Sequence, residues 1–217
     1  PVNSGSFSVL QVSSPVGCFL NARFPSPTFL GMTHGTSWVA STVLWGLGQM
    51  SKGKEVGMSC LSSIMVQLEF SGGNRFFDFV PGGVGGSWVG PGESGLPLWH
   101  KHRLQPSIEL IEQKFPMLIH RVATCRSHTG KSKHLGGSGL TKEYEIQSHA
   151  KLTWFMDQTR VRPAGALHGN LGSTAEMFVL SKGKKIQLAS CGQKDLHPGD
   201  RLFVVSPSAG GWGKPES

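Results

Sequence analysis

Two histidines one residue apart, His100 and His102, close a stretch in which seven glycines fall between Pro81 and Gly95. On extended backbone, side chains two positions apart point the same way, so the two imidazoles could share a metal ion or grip one ligand by hydrogen bonds. No third ligand is evident beside them; Glu109 and Glu112 are the speculative options. His34 stands just before the longest helical pattern, where an imidazole near a helix N-terminus suits an anion. The other reading of His34 is a plain loop histidine. Arg160 and Arg162 could grip a carboxylate or phosphate, although Asp157 offers them a simple ion pair.

The run holding Gly82, Gly83, Gly85 and Gly86 is too glycine-dense for a helix or a central strand. It reads as a loop of defined path that delivers the imidazoles, or else as a flexible linker. Trp88 and Trp99 argue against the linker, because large apolar rings need burial. Neither glycine run completes a dinucleotide fingerprint, since Trp88 and Glu216 stand where the third glycine belongs. Thr129-Gly-Lys-Ser132 lacks the first glycine of a phosphate loop, having Cys125 there, and no helix follows it. The four cysteines are widely spaced, with no zinc-site pattern, and read as free thiols of a reducing compartment. No metal is assigned to this chain.

Composition bounds the partners. Charged residues make up 16% of the 217, against roughly 25% in an ordinary soluble domain, while tryptophan occurs six times. Low charge with many large rings points to a surface covered by other protein. The net charge of +8 raises nucleic acid as a partner, but the basic residues are scattered and no recognition-helix or aromatic RNA-binding motif appears. Nucleic acid is therefore not expected as a partner. No apolar run reaches the ~20 residues of a membrane helix. The sequence opens on Pro1 without a methionine, which suggests a processed product or a piece of a longer chain.

The elements that must position these groups are mostly strands. Alternation at Phe7, Val9 and Val12 suggests one, and Cys18–Leu20 a second short one. A helix is expected over 36–50, with Val39, Val43, Leu47 and Met50 on one face and Trp38 and Trp45 on another flank, hence burial on two sides. Leu61–Phe70 and Phe76–Val80 read as a hairpin about Ser71-Gly-Gly-Asn74. A short helix over 107–114 lies between Pro106 and Pro116. Strands follow at Met117–Thr124, Leu140–Gln147, Lys151–Asp157, Met177–Ser181, Lys184–Leu188 and Arg201–Val205. The expected class is α+β, β-dominated, as a single domain over 1–217.

These segments resemble a known family. Pro1-Val-Asn-Ser-Gly-Ser-Phe7, Val16-Gly-Cys-Phe-Leu-Asn21, Gly82-Gly-Val-Gly-Gly86, His100-Lys-His102, Glu109–Pro116, Gly136-Gly-Ser-Gly139 and Pro198-Gly-Asp200 with Gly210–Pro215 keep order and spacing. Together they are similar to the C-terminal half of hydantoinase B-type subunits. That family covers ATP-dependent hydantoinases, 5-oxoprolinases, and acetone and acetophenone carboxylases. Arg103–Pro106 and Ser127–Gly130 depart from its pattern. The resemblance implies part of a cyclic-amide hydrolase or ketone carboxylase, walling an inter-subunit site that His34, His100, His102 and Arg160 would face. It also implies that ATP and a divalent metal sit on partner subunits, namely a hydantoinase A-type chain and the metal-bearing N-terminal half of the B-type subunit. The alternative is a catalytically inactive relative serving as a structural subunit. The compartment expected is the cytoplasm, or else an organelle interior.

Overall fold

The computed structural model describes residues 5, 8, 11, 13–97, 105–125 and 131–215. The strands fall where branched and aromatic residues alternate with polar ones. They are β1 (Ile64–Phe70), β2 (Arg75–Val80), β3 (Met117–Thr124), β4 (Leu140–Ile146), β5 (Ala150–Phe155), β6 (Glu176–Ser181), β7 (Lys184–Gln187), β8 (Cys191–Leu196) and β9 (Arg201–Val205). They build two antiparallel sheets, ordered β2-β1-β5-β8 and β3-β4-β9-β6-β7. The β1–β2 hairpin turns at Gly72 and Gly73, whose φ of +97° and +84° no side-chain-bearing residue takes cheaply. With two helices beside the sheets, the class is α+β and β-dominated, as the periodicity implies.

Ile64, Val66, Leu68 and Phe70 of β1 and Leu152 and Trp154 of β5 point to one side. They meet Tyr144 and Ile146 of β4, Met177 and Val179 of β6, and Leu202 and Val204 of β9 in one continuous core. Burying each large side chain contributes about 1.5–3 kcal/mol, so this shared layer holds the sheets together. Strand β8 has no counterpart in the sequence pattern: in Cys191-Gly-Gln-Lys-Asp-Leu196 only Leu196 is buried, and an edge strand carries little apolar signal. The expected strand at Cys18–Leu20 is instead a tight turn, with Gly17 N–H donating to Asn21 O at 2.7 Å and Asn21 N–H to Cys18 O at 3.1 Å. The alternating positions Phe7, Val9 and Val12 lie outside the described residues.

At one end of the sheets the chain passes repeatedly through extended glycine-bearing segments. Gly57 N–H donates to Gly86 O, Gly86 N–H to Gly210 O, and Gly210 N–H to Met58 O, all at 2.8–2.9 Å. Cys60 N–H donates to Gly83 O, Gly137 N–H to Val84 O, and Ala209 N–H to Gly137 O. These backbones approach so closely that a Cβ at Gly83 would collide with the Gly137 carbonyl, and one at Gly85 with the Gly57 carbonyl. The stretch after Pro81 is therefore an inner member of a backbone bundle. Gly82, Gly83 and Gly86 are buried, and it behaves neither as a linker nor as a free loop. Trp88 sits at an exposed turn closed by Ser87 N–H to Gly90 O, so the expected burial of its ring does not occur. Trp99 lies outside the described residues.

A wide π-type turn over Gly31–Gly35 leads into helix α1 (Thr36–Gln49), and α2 covers Ile108–Lys114. Ser107 Oγ caps α2 by accepting from Leu110 N–H at 3.3 Å. The expected bounds hold to within a residue, but the expected orientation of α1 does not. Ser37 and Ser41 face inward and are buried, while Val39, Val43, Leu47 and Met50 are exposed. Small serines let the helix lie close on its neighbours, and Ser37 Oγ satisfies itself on Thr33 O at 2.8 Å. Trp38 and Trp45 are half-buried, and Trp38 packs on Phe19 at 5.1 Å between ring centroids.

Two glycine substitutions separate the bundle from ordinary glycine. Gly83→Ala forces backbones apart and is expected to cost at least about 3 kcal/mol. Gly46→Ala, in exposed α1 with nothing near its added methyl, is expected to gain about 0.5–1 kcal/mol. Chemical denaturation of both variants measures the contrast.

Candidate functional site

Where the glycine bundle, the π-type turn and the α2–β3 corner converge, they enclose a cavity of about 260 Å³. Its walls are mostly apolar, with Leu61, Phe79, Leu96, Ile108, Ile119 and Val122 among them. The polar groups that reach it include His34, Ser37, Ser62, Asp78, Gln105 and Lys142, with Gly82 and Gly95 as backbone wall.

Asp78 and Lys142 occupy inward positions of β2 and β4, one from each sheet, where alternation calls for apolar residues. Both are buried. Lys142 Nζ donates to Asp78 Oδ2 at 2.6 Å and to Gln105 Oε1 at 3.0 Å, and Tyr144 OH donates to the same Asp78 oxygen at 2.5 Å. Burial and the neighbouring Asp78 carboxylate push the Tyr144 hydroxyl well above its ordinary range, so it remains a donor. An ammonium has three N–H bonds, and two are used here; the third has no partner among the described residues. A buried cation with a spare N–H beside an apolar cavity is equipped to hold a carbonyl or carboxylate oxygen.

His34 borders the same cavity and is almost fully buried. Its Nε2 lies 2.8 Å from Ser63 O, which can only accept, so Nε2 carries the proton. Nδ1 lies 3.1 Å from Thr33 Oγ1, and the ring stands edge-on to Phe155. Arg160 is exposed and does not line the cavity, and Arg162 donates Nε to Gly172 O at 2.6 Å. His100 and His102 lie outside the described residues; Pro97 and Gln105, on either side of that segment, both border the cavity.

Asp157 has a different use from the expected arginine pair. Its Oδ2 accepts from Trp38 Nε1 at 2.8 Å and from Ser62 Oγ at 2.7 Å, which ties α1 to the start of β1. Burial raises its carboxyl above the ordinary value, and the Ser62 and Trp38 bonds partly offset that. Cys60 donates Sγ–H to Pro207 O at 3.0 Å and accepts from Gly83 N–H at 3.2 Å, and burial pushes its thiol up to about 12. It is a neutral packing group. Among the described residues no three His, Cys, Asp or Glu side chains come together as a metal site.

An antiparallel, glycine-bundled α+β chain with this cavity has known relatives. The profile of the hydantoinase B/oxoprolinase family matches residues 1–215, and the chain belongs to that family. An uncharacterized protein of Methanocaldococcus jannaschii is 27% identical over 216 residues, covering 99% of this chain and 38% of that protein. The B-type subunit of a putative D-/L-hydantoinase from a Pseudomonas species is 24% identical over 224 residues, covering 99% and 37%. The crystal structure of an ATP-dependent caprolactamase from Pseudomonas jessenii superposes with a TM-score of 0.80 at 22% identity, over 99% of this chain and 40% of that one. The chain thus spans less than half the length of these relatives.

The buried polar groups make two measurable demands. Lys142→Met strands the Asp78 carboxylate and is expected to cost about 3–5 kcal/mol, whereas D78N/K142M removes both charges and is expected to recover more than half of that. Urea unfolding of the two variants reads the difference. The folded pKa of Asp157 stands above its unfolded value, so the stability it lends is complete below about pH 4 and is lost as pH rises through the folded value. Asp157→Asn cannot ionise; wild-type Tm minus variant Tm should therefore fall as pH rises above about 4, and a constant difference would count against a raised carboxyl.

Proposed function

We propose that this chain is part of an ATP-dependent cyclic-amide hydrolase of the hydantoinase/5-oxoprolinase type, or of a related ketone carboxylase, and that it walls an inter-subunit reaction site. The observation that carries this is the cavity beside His34, where the buried Lys142 ammonium has one N–H that no described residue takes up. Asp78 balances the charge of Lys142, so the pair presents a strong local dipole with little net charge. Such a group suits a polar carbonyl on a small, otherwise apolar ring. Lys142 would hold that oxygen, Gln105 would steady the ammonium, and the apolar walls would exclude water. ATP and a divalent metal would be bound by partner subunits: a hydantoinase A-type chain and the polypeptide forming the rest of the B-type subunit. His100 and His102 remain candidates for facing the same site, with Arg160 outside the cavity as a weaker one.

The second reading is a catalytically inactive structural subunit. It is favoured by His34, whose two ring nitrogens are both engaged by this chain's own Thr33 and Ser63. One experiment separates the two. The assembled enzyme carrying D78N/K142M, which keeps the fold without the ammonium, is assayed for ATP-dependent turnover of 5-oxoproline, hydantoin or a simple ketone. At least about a tenfold loss in kcat/KM is expected, the effect of removing one charged contact to a reacting carbonyl. Turnover equal to wild type would overturn the cavity as the site. Absence of turnover in the assembled wild type with any of these substrates would favour the structural reading.

A further inference from the structure

We infer that the exposed apolar face of helix α1 is a permanent packing surface, and that its occupant is the polypeptide forming the remainder of the hydantoinase B-type subunit. Val39, Val43, Leu47 and Met50 recur at helical spacing on the outward side, while the inward side is the serine side. This inverts the pattern of a surface helix. Met50 is 81% exposed, and Met32, just before the helix, is 80% exposed. Between Arg23 and Lys52 the sequence holds no Asp, Glu, Lys or Arg.

The chemistry of the face selects its occupant. Transient docking surfaces are about as polar as ordinary protein surface and carry charged rims, whereas obligate ones resemble a domain core cut in half. A helix with no charged residue on any side belongs to the second kind. The length comparison says where such a partner would come from. The match takes in 99% of this chain but only 37–40% of the hydantoinase B-type chain from Pseudomonas and of the caprolactamase chain, so those relatives contain more polypeptide outside the matched part than within it. The inference rests on family membership and not on the cavity taking a substrate.

The test reads packing without turnover, so it can fail independently of the proposed activity. A photo-crosslinking phenylalanine analogue is placed at Val43, and in a second variant at Leu47, in the protein assembled in its native source, and the linked peptides are sequenced. Crosslinks to polypeptide that matches the hydantoinase B family outside the part matched here support the inference. Crosslinks to a second copy of this chain, to lipid or to a protein unrelated to the family overturn it, as does the absence of any crosslink. Oxidation of unsubstituted protein by dilute peroxide provides the control that needs no variant. Met50 and Met32 should oxidise at least about tenfold more slowly in the native assembly than after denaturation. Equal rates would overturn the inference.

Discussion

Carbonyl oxygens packed directly against α-carbons are the constraint on which the remaining architecture depends. At Gly83, Gly85, Gly137 and Gly210 there is no room for a methyl group, and the hydrogen bonds between these segments replace a sheet ladder. The arrangement gives the site a thin wall. Elsewhere side chains keep facing sheets about 10 Å apart, whereas the glycine segments pack closely enough to bring several passes of chain into one small volume. Cys60 shows how tightly the volume is used, since its thiol donates to one such segment and accepts from another.

On the other side of the cavity the two sheets are bridged by charge. Asp78 and Lys142 take positions that an apolar residue would fill with less desolvation, and Tyr144 and Gln105 complete their hydrogen bonding. A pair of this kind adds little net stability, but it ties β2 of one sheet to β4 of the other and keeps the ammonium in place at the cavity. Helix α1 is held by equally specific polar contacts: Trp38 and Ser62 on Asp157, and His34 on Ser63. The polar inner face and the apolar outer face of that helix are two aspects of one arrangement.

Much of this is legible in the residues. Alternation marks the hairpin and most of the strands within three residues, and both helices within one, because period-2 and period-3.6 patterns depend on local burial. The exceptions have physical causes. Strand β8 is a polar edge, and Cys18–Leu20 is apolar without being extended. The orientation of α1 escapes the pattern because apolar spacing tells which side seeks cover and not which molecule provides it. The glycine bundle is recognisable as a backbone feature, but its contacts join positions more than a hundred residues apart, such as Gly86 with Gly210, which no local pattern encodes. Of the polar groups at the cavity, spacing picks out only His34. Asp78 and Lys142 carry a readable signal all the same: a charge at an inward position between Phe76 and Val80, and another two residues before Tyr144.

The outward face of α1 also bears on how such a protein comes to exist in the cell. An uncharged helix with bare valines, leucine and methionine, on a chain in which only 16% of residues are charged, is a sticky patch for as long as it stays bare. Newly made chains would clump in proportion to the time spent alone. With the rest of the subunit as the inferred cover, selection would favour making both parts together, in one reading frame or side by side, so that meeting outpaces precipitation.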